Sequence, residues 1–306
     1  MATRVHRLAG PLDLRDTLAP LVRGRGDPAH AWAGGTFWRV TRTADGPVSL
    51  AVTVRALERT VVGEAWGPGA DAALATLPDL VGDRDDWSTL DVSGVPVLDR
   101  VRRARPGLRL TRTGLVLDAL VPAVLEQKVT GGEARRAWRS LLHRYGDPAP
   151  GPADRMPRAM RVPPTPEVFR QVPTWDWHRF GVDAQRTRAV RAVCAVAARL
   201  EECVGMTDLE AEARLRLVPG IGVWTAAETV QRALGAPDHV SVGDFHIPNR
   251  VVHLLTGAAR GTDEQMLEAL APWVGQRQRV VRLVEASGIV APKFGPRYAP
   301  ADLRAM

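Results

Sequence analysis

Residues 217–227 read Leu-Val-Pro-Gly-Ile-Gly-Val-Trp-Thr-Ala-Ala, and residues 240–250 read Val-Ser-Val-Gly-Asp-Phe-His-Ile-Pro-Asn-Arg. Pro219, Gly220 and Gly222 break one helix and open the next, because glycine tolerates the positive φ and close backbone approach of a tight hairpin. Apolar residues then recur at helical spacing over residues 223–234. The sequence therefore predicts two helices joined by a glycine hairpin over about residues 207–234.

The hairpin is suited to holding a phosphate. The first N–H groups of a helix have no partner within it, and the helix dipole favours an anion there. Because Gly220 and Gly222 carry no side chain, a nucleic-acid phosphate can reach these groups, and the Thr225 hydroxyl can add a hydrogen bond. The alternative is an ordinary helix–turn–helix corner, and the presence of Asp244 a short distance downstream weighs against it.

The string from Val218 to Arg250 resembles the signature of the helix-hairpin-helix DNA glycosylase superfamily. In that family an Asp stabilises the sugar cation formed as a damaged base leaves, and the matching residue here is Asp244. Some members carry a Lys two residues after the second hairpin glycine, where this chain has Trp224. Trp cannot form a Schiff base. The chain resembles the monofunctional alkylated-base branch, of the 3-methyladenine glycosylase II type, in which a Trp also follows the hairpin.

This resemblance extends beyond the hairpin. Arg103–Gly146 is similar to that branch's entry into its helical domain, Asp183–Arg199 to its middle helix, and Ala271-Pro272-Trp273 to its closing segment. Together these stretches cover roughly two thirds of the chain, and the N-terminal third matches weakly.

Composition favours a soluble folded protein with a polyanionic partner. Of 306 residues, 45% are apolar and 25% charged, and the net charge of +7 with a pI near 10.5 favours association with nucleic acid. Lysine occurs only at positions 128 and 293, so nearly all cations are arginines. Arginine suits bidentate phosphate contacts, but a GC-rich genome produces the same bias, and we give that explanation at least equal weight.

The two cysteines exclude an iron–sulfur cluster or a four-thiolate zinc site. We expect Cys194 and Cys203 to lie on one helix, facing different sides, as reduced core thiols. No cofactor is expected, and no metal-ligand cluster is visible, although the resemblance implies a monovalent cation at the carbonyls of Arg216, Val218 and Ile221. With no signal peptide or apolar run of membrane length, a cytoplasmic, nucleoid-associated protein is expected.

Patterning predicts an α+β fold that is mainly α. Residues 1–92 are expected to form an antiparallel sheet domain with helices, since strands alternate at 37–42, 49–55 and 60–66 and a short helix follows over Pro68–Leu80. Residues 93–291 are expected to form an all-α glycosylase core, and residues 292–306 a loosely ordered tail. Predicted helices cover residues 95–105, 114–128, 131–145, 183–203, 207–217, 223–234, 246–257, 263–271 and 275–287. Seven prolines indicate a stiff surface excursion over residues 147–166.

The resemblance places aromatic pocket residues at Trp224 and Trp273, whose faces would attract a cationic alkylated purine. Trp138, Trp175 and Trp177 are expected to be core residues. Glu228 lies one turn after Trp224, where relatives often carry an aromatic residue. It could contact a cationic base, but we slightly favour a solvated side chain.

Asp244 follows Gly243, so its carboxylate can be aimed into a cleft, where it would stabilise an oxocarbenium-like sugar and orient water. It could equally cap the following helix, and one residue can do both. His246, two residues on, points elsewhere on a helix, so a phosphate contact or cap is favoured over a catalytic dyad.

The end of helix 114–128 is expected to fill the gap left by a flipped base. The matching position is Lys128, where an apolar wedge is usual in the resembled branch, and Gln127 could share the role by hydrogen-bonding the orphaned base. A Lys near the site also leaves lyase chemistry open as a minor alternative.

The sequence is therefore interpreted as a monofunctional DNA N-glycosylase that removes alkylated purines during base excision repair. Its expected partner is double-stranded DNA containing damaged bases, with no membrane and no obligate protein partner, and it is expected to be a monomer. Two alternatives remain: a bifunctional glycosylase/lyase acting on oxidised bases, and a non-catalytic module that binds lesions.

Overall fold

The N-terminal part of the computed structural model, which describes residues 1–292, is a five-stranded antiparallel sheet. Its strands are β1 (Ala2–Arg7), β2 (His30–Ala33), β3 (Thr36–Thr43), β4 (Gly46–Arg55) and β5 (Thr60–Trp66). They lie in the order β1-β5-β4-β3-β2, so β1 and β2 form the two edges. The tight turn between β3 and β4 pairs Thr43 with Gly46, and alternate residues face a core beneath the sheet.

Helices form most of the remainder of the described chain. Short helices and turns follow or flank the sheet: α1 (Leu14–Leu18), a 3-10 turn (Ala19–Leu21), α2 (Ala70–Ala75) and α3 (Leu77–Leu80). The helical part consists of α4 (Pro96–Ala104), α5 (Val116–Leu125), α6 (Gly131–Tyr145), α7 (Pro166–Gln171), α8 (Thr174–Arg179), α9 (Ala184–Ala195), α10 (Ala197–Glu201), a 3-10 turn (Glu202–Gly205), α11 (Asp208–Arg216), α12 (Val223–Ala233), α13 (Ile247–Thr256), α14 (Asp263–Ala269), a 3-10 turn (Ala271–Trp273) and α15 (Arg277–Ala286). This architecture confirms the predicted mainly helical α+β class.

Three of the four apolar cores in residues 1–292 join these helices to one another and to the sheet. One lies between the sheet and α1–α3, and a larger one gathers α5, α6, α9, α11 and α12 around the fully buried Trp177. A third joins the segment from Trp87 to Leu110 with α13, α14 and α15. Because α12 belongs to the second core and α13 to the third, the loop between these helices lies where two packed units meet.

The segment rich in proline differs from its predicted form. Two short strands, β6 (Asp147–Pro148) and β7 (Arg161–Val162), pair antiparallel within residues 147–166. Met156, Met160 and Val162 are buried against Trp38 and Trp66 on the outer face of the sheet. Most of the segment still lies at the surface, as predicted, but it also contains a short strand pair and contributes apolar side chains to a fourth core.

Two further expectations are corrected. Cys194 lies in α9, but Val196 ends that helix, so Cys203 lies beyond α10 in a separate 3-10 turn. Both thiols are nevertheless buried and free, as expected of reduced core cysteines. Trp138 and Trp177 are core residues, whereas Trp175 is 72% exposed on α8 and is not.

None of the described helices is long and apolar enough to cross a membrane. The predicted tail lies outside the described residues from position 293 onward. The domain boundary near residue 92 stays a prediction.

Candidate active site

The predicted glycine hairpin lies between α11 and α12. The Ile221 N–H donates to the Val218 carbonyl over 3.1 Å, which closes a four-residue turn. Gly220 occupies the third position of this turn with φ +90°, a conformation that side chains rarely adopt. A Cβ added there would lie only 2.8 Å from the Ala189 Cβ, so glycine is also required by packing.

Gly222 has a different role in the same hairpin. It is the residue before α12, its backbone is extended, and a Cβ added there would meet nothing within 4 Å. The N-terminus of α12 is therefore open to solvent at Gly222, where its first N–H groups can receive an anion.

Asp244 lies at a second turn of the same kind, between α12 and α13. Its N–H donates to the Ser241 carbonyl over 3.1 Å, and Gly243 occupies the third position with φ +91°. This turn brings the carboxylate to the N-terminus of α13, where Oδ1 accepts the N–H groups of His246 (2.7 Å) and Ile247 (2.9 Å). The expected capping role is thus confirmed, although Asp244 stands two residues before the cap position, which His246 holds.

Trp224 holds the second oxygen of this carboxylate. Its indole Nε1 donates to Asp244 Oδ2 over 3.1 Å, linking the first turn of α12 to the loop before α13. Both residues are half-buried. The structure therefore brings together the hairpin, the predicted aromatic residue and the predicted catalytic acid.

Two residues that sequence reasoning missed fix the backbone on either side of Asp244. Both carboxylate oxygens of Asp263 accept the Gly243 N–H at 3.0 Å, and Asn249 Nδ2 donates to the Phe245 carbonyl at 3.0 Å. These contacts join the loop to α14 and α13, and no local pattern in the sequence announces them.

Phe245 is a third residue whose position the sequence did not reveal. Its ring, directly after Asp244, is 82% exposed and packs edge-on against the ring of His246, with 5.0 Å between centroids. An exposed aromatic ring beside a carboxylate can stack on a base. The sequence could have indicated its exposure, because Phe245 is a large apolar residue between the polar residues Asp244 and His246.

Gln127 joins the end of α5 to the hairpin. Its side-chain Nε2 donates to the Gly220 carbonyl (2.9 Å) and to the Thr225 hydroxyl (2.8 Å). Thr225 is only 2% exposed, so the expectation that its hydroxyl meets a phosphate is wrong. Thr225 instead anchors Gln127, and through it the α5–α6 turn.

Lys128 follows at the tip of the α5–α6 turn. Its side chain is exposed, and its backbone is in the left-handed region with φ +52°, which costs a residue with a side chain about 1 kcal/mol or more. Such strain persists where the surrounding structure imposes it, here between the end of α5 and the capping box that starts α6.

Glu228 is neither solvated nor available to a base. It is buried at 7% exposure, its Oε1 accepts the Ser241 hydroxyl at 2.5 Å, and its Oε2 pairs with Arg232 at 2.8 Å. Burial alone would lower the pKa of Arg232, but the Glu228 carboxylate raises it above its ordinary value. Both predicted roles for Glu228, base contact and solvated residue, are therefore corrected, because the pair is internal to the protein.

Trp273 lies in the 3-10 turn before α15. Its Nε1 donates to the Asp91 carbonyl over 2.6 Å, and its ring packs against the third core, which also contains residues of α13. The structure thus bonds Trp273 to Asp91 rather than to Asp244, and its role as a pocket aromatic stays a prediction.

The residues 1–292 contain no cluster of three or more His, Cys, Asp or Glu side chains that could hold a metal ion. Of the three carbonyls expected to bind a monovalent cation, that of Val218 accepts the hairpin N–H of Ile221. The cation site at Arg216, Val218 and Ile221 stays a prediction.

Sequence comparison finds a relative over part of the chain. The chain is 30% identical over 179 residues to a Mycobacterium tuberculosis protein named probable bifunctional transcriptional activator/DNA repair enzyme AlkA. The match covers 58% of this chain and 34% of that protein, so it spans about a third of the relative's length. No protein-family model matches the chain.

Solved structures resemble nearly the whole chain. A 3-methyladenine DNA-glycosylase from Archaeoglobus fulgidus superposes with a TM-score of 0.77 over 93% of this chain and 98% of its own, at 17% identity. The 8-oxoguanine glycosylase/lyase of Clostridium acetobutylicum, bound to double-stranded DNA, gives 0.70 over 94% and 97%, at 10% identity. The chain has the fold of the helix-hairpin-helix DNA glycosylases.

Proposed function

We propose that the protein is a monofunctional DNA N-glycosylase that removes alkylated purines from double-stranded DNA in base excision repair. The observation that carries this proposal is the Asp244 carboxylate, held beside the hairpin by three N–H donors, one of them the Trp224 indole. The similarity to a DNA repair enzyme and to the fold of a 3-methyladenine DNA-glycosylase supports it.

The chemistry follows from the charge that develops on the sugar. As the N-glycosidic bond breaks, its electron pair goes to the base, so a cationic alkylpurine leaves as a neutral molecule. The sugar becomes an oxocarbenium-like cation, and a carboxylate about 4 Å away stabilises it by roughly 4 kcal/mol at an effective dielectric near 20. Water then adds to the sugar carbon and loses its proton, for which Asp244 is the nearby acceptor.

The hairpin is proposed to bind a phosphate of the DNA backbone. A phosphate beside Gly222 would meet the first N–H groups of α12 and its positive dipole end. From there Trp224, on the first turn of the same helix, would present its ring to the flipped base while its Nε1 keeps hold of Asp244. Phosphate binding and acid placement are therefore coupled through a single helix.

Hydrolysis without strand cleavage is expected because strand cleavage requires a lysine amine that attacks the sugar, and the hairpin position for that lysine holds Trp224. Trp224 stands where lyases of this fold carry their Lys, and Lys128 is the only lysine in residues 1–292. Lys128 and Gln127 are proposed instead to fill the space left by the flipped base, since both lie on the turn bonded to the hairpin.

Base release from methylated duplex DNA tests the proposal, with strand integrity and borohydride trapping measured on the same samples. Released methylpurines, intact strands and no trapped protein–DNA adduct are expected. Trapping by the wild type but not by Lys128→Met would replace the proposal with a bifunctional enzyme, whose oxidised substrates would then be assayed. Retained DNA binding with no base released from either class of lesion would leave a binding module.

A further inference from the structure

We propose a second phosphate-binding surface, separate from the hairpin, that binds the backbone of the complementary DNA strand. It lies on α6, the loop before β2 and the segment between β6 and β7, and we call it the basic surface. Its members are Arg25, Arg135, Arg136, Arg139 and Arg158. Its assignment to the complementary strand rests on the proposed function, which places the damaged strand at the hairpin.

No carboxylate of residues 1–292 forms an ion pair with the guanidinium groups of the basic surface. Across residues 1–292, most ion pairs engage arginines, but none of these five has a carboxylate oxygen within 4.0 Å. Arg25, Arg135 and Arg136 are exposed. Arg135 and Arg139 stand one helical turn apart, where like charges repel and destabilise a helix. Arginines that repel one another and lack an ion-pair partner are expected where the protein binds a polyanion, which neutralises them.

Three segments converge on this surface. A Cβ on Gly24 would collide with the Arg135 side chain, and one on Gly26 would lie 3.0 Å from the Arg139 Cδ, so both arginines extend over the loop of residues 24–26. From the other side, Arg158 donates through Nη1 to the Arg25 carbonyl at 2.7 Å. Arg135 and Arg139 are thus packed over this loop, and Arg158 is hydrogen-bonded to its backbone.

The position of the basic surface indicates which strand it meets. Helix α5 packs against α12 and also against α6, and α6 in turn contacts β7. The turn between α5 and α6 is bonded to the hairpin through Gln127, and α6 leads away from it. From Gly131 to Arg139 the helix rises about 12 Å, comparable with the width of a DNA groove, about 12 Å for the major groove. When Lys128 fills the space left by the flipped base, Arg135 and Arg139, further along α6, would lie against the phosphate backbone of the complementary strand.

The test is DNA binding by the full chain carrying Arg135→Gln and Arg139→Gln. Its ligand is a duplex containing a tetrahydrofuran abasic analogue, so that no chemistry is needed. Each lost phosphate contact lowers the slope of log affinity against log salt by about 0.9, so a decrease of about 2 and at least tenfold weaker binding near 0.1 M salt are expected. Arg7→Gln with Arg59→Gln is the control, since it removes equal charge at the opposite edge of the sheet and should change little.

Neutral methylphosphonate linkages identify the strand. Placed in the complementary strand near the lesion, they should weaken wild-type binding but leave the Arg135/Arg139 variant unaffected. The same pattern on the damaged strand, or a variant that binds like the control, would overturn the proposal, provided both proteins unfold at the wild-type temperature. Failure of the glycosylase assignment would appear separately, as absent base release from damaged DNA while this binding defect persists.

Discussion

The Asp244 carboxylate is held from two directions. Backbone N–H groups at the start of α13 bind one oxygen, and the Trp224 indole binds the other. In the proposed reaction, a group fixed in this way needs little reorganisation when positive charge develops on the sugar. The sequence predicted both residues, since each lies in a recognisable string, but not their hydrogen bond, because periodicity says nothing about contacts between residues 20 positions apart.

The bond between Trp224 and Asp244 can be tested by removing the donor while keeping an aromatic ring. Trp224→Phe should lower the single-turnover rate of base excision about three- to tenfold, the equivalent of one hydrogen bond of about 1 kcal/mol. Trp224→Ala should lower it further, since the ring face is lost as well. An excision rate for Trp224→Phe equal to that of the wild type would show that the indole N–H does not position the acid.

The two turns that contain Gly220 and Gly243 connect the helices that form the site. The positions of both turns could be predicted from the sequence. Helices over Gly131–Tyr145 and Val223–Ala233 also follow the predicted bounds closely, because each begins at a clear start signal. The strands β1 and β2 were missed, since they are edge strands whose pairing depends on distant partners. The pairing of β6 with β7 was hidden by the prolines around it.

The two hairpin glycines should respond differently to alanine. Gly220→Ala should lower the free energy of unfolding by about 1–3 kcal/mol, because φ is +90° and the new Cβ would approach Ala189. Gly222→Ala should leave stability nearly unchanged but weaken DNA binding, since its methyl group would occupy the space open to a phosphate. Denaturant unfolding and DNA titration of both variants measure this. Equal losses of stability would contradict the assignment of open space at Gly222.

Replacing Lys128 tests whether its strained backbone, with φ +52°, is retained because its side chain is needed for base excision. Lys128→Gly should raise the free energy of unfolding by up to about 1 kcal/mol, because glycine adopts φ +52° without cost, although its greater freedom in the unfolded chain offsets part of the gain. Base excision should fall, since no side chain remains to fill the duplex. Chemical denaturation and single-turnover excision check the two effects. If Lys128→Gly were less stable than the wild type and excised bases at the wild-type rate, both the predicted gain in stability and the predicted loss of excision would be wrong.

At the scale of the whole molecule, buried polar contacts tie the sheet to the helices. Asp27 is fully buried and accepts the N–H groups of Arg23 (2.8 Å) and Ala29 (3.0 Å), the His30 ring (3.1 Å) and the Trp138 indole (3.0 Å). Trp138 lies on α6, so this one carboxylate joins the segment before β2 to the helical core. Composition could predict neither its burial nor its partners, which come from segments 111 residues apart.

The Asp27 contacts predict how stability depends on pH. Burial alone would raise the pKa of its carboxyl, but His30 and the surrounding N–H donors hold that pKa below its ordinary value of 3.8. Because the folded pKa is lower than the unfolded one, the stabilisation is present above about pH 4 and is lost as the pH falls through the folded value. Asp27→Asn should cost about 2–4 kcal/mol at pH 7.

The difference between wild type and Asp27→Asn should shrink in acid, as the wild-type carboxyl becomes protonated. Urea unfolding at intervals between pH 7 and pH 3 measures it. Asp45→Asn, at the tight turn between β3 and β4, is a matched control expected to change stability little at any pH. A cost for Asp27→Asn that stays constant down to pH 3 would contradict this account.

The most direct test of the central claim is the single-turnover rate of methylpurine release from duplex DNA by the wild type and by Asp244→Asn. The asparagine keeps the shape of the side chain and removes its charge, so the rate should fall on the order of a hundred- to a thousandfold, matching roughly 4 kcal/mol of electrostatic stabilisation. Affinity for a duplex with an abasic analogue should stay within a fewfold of the wild type. Base release by Asp244→Asn at the wild-type rate would contradict the account.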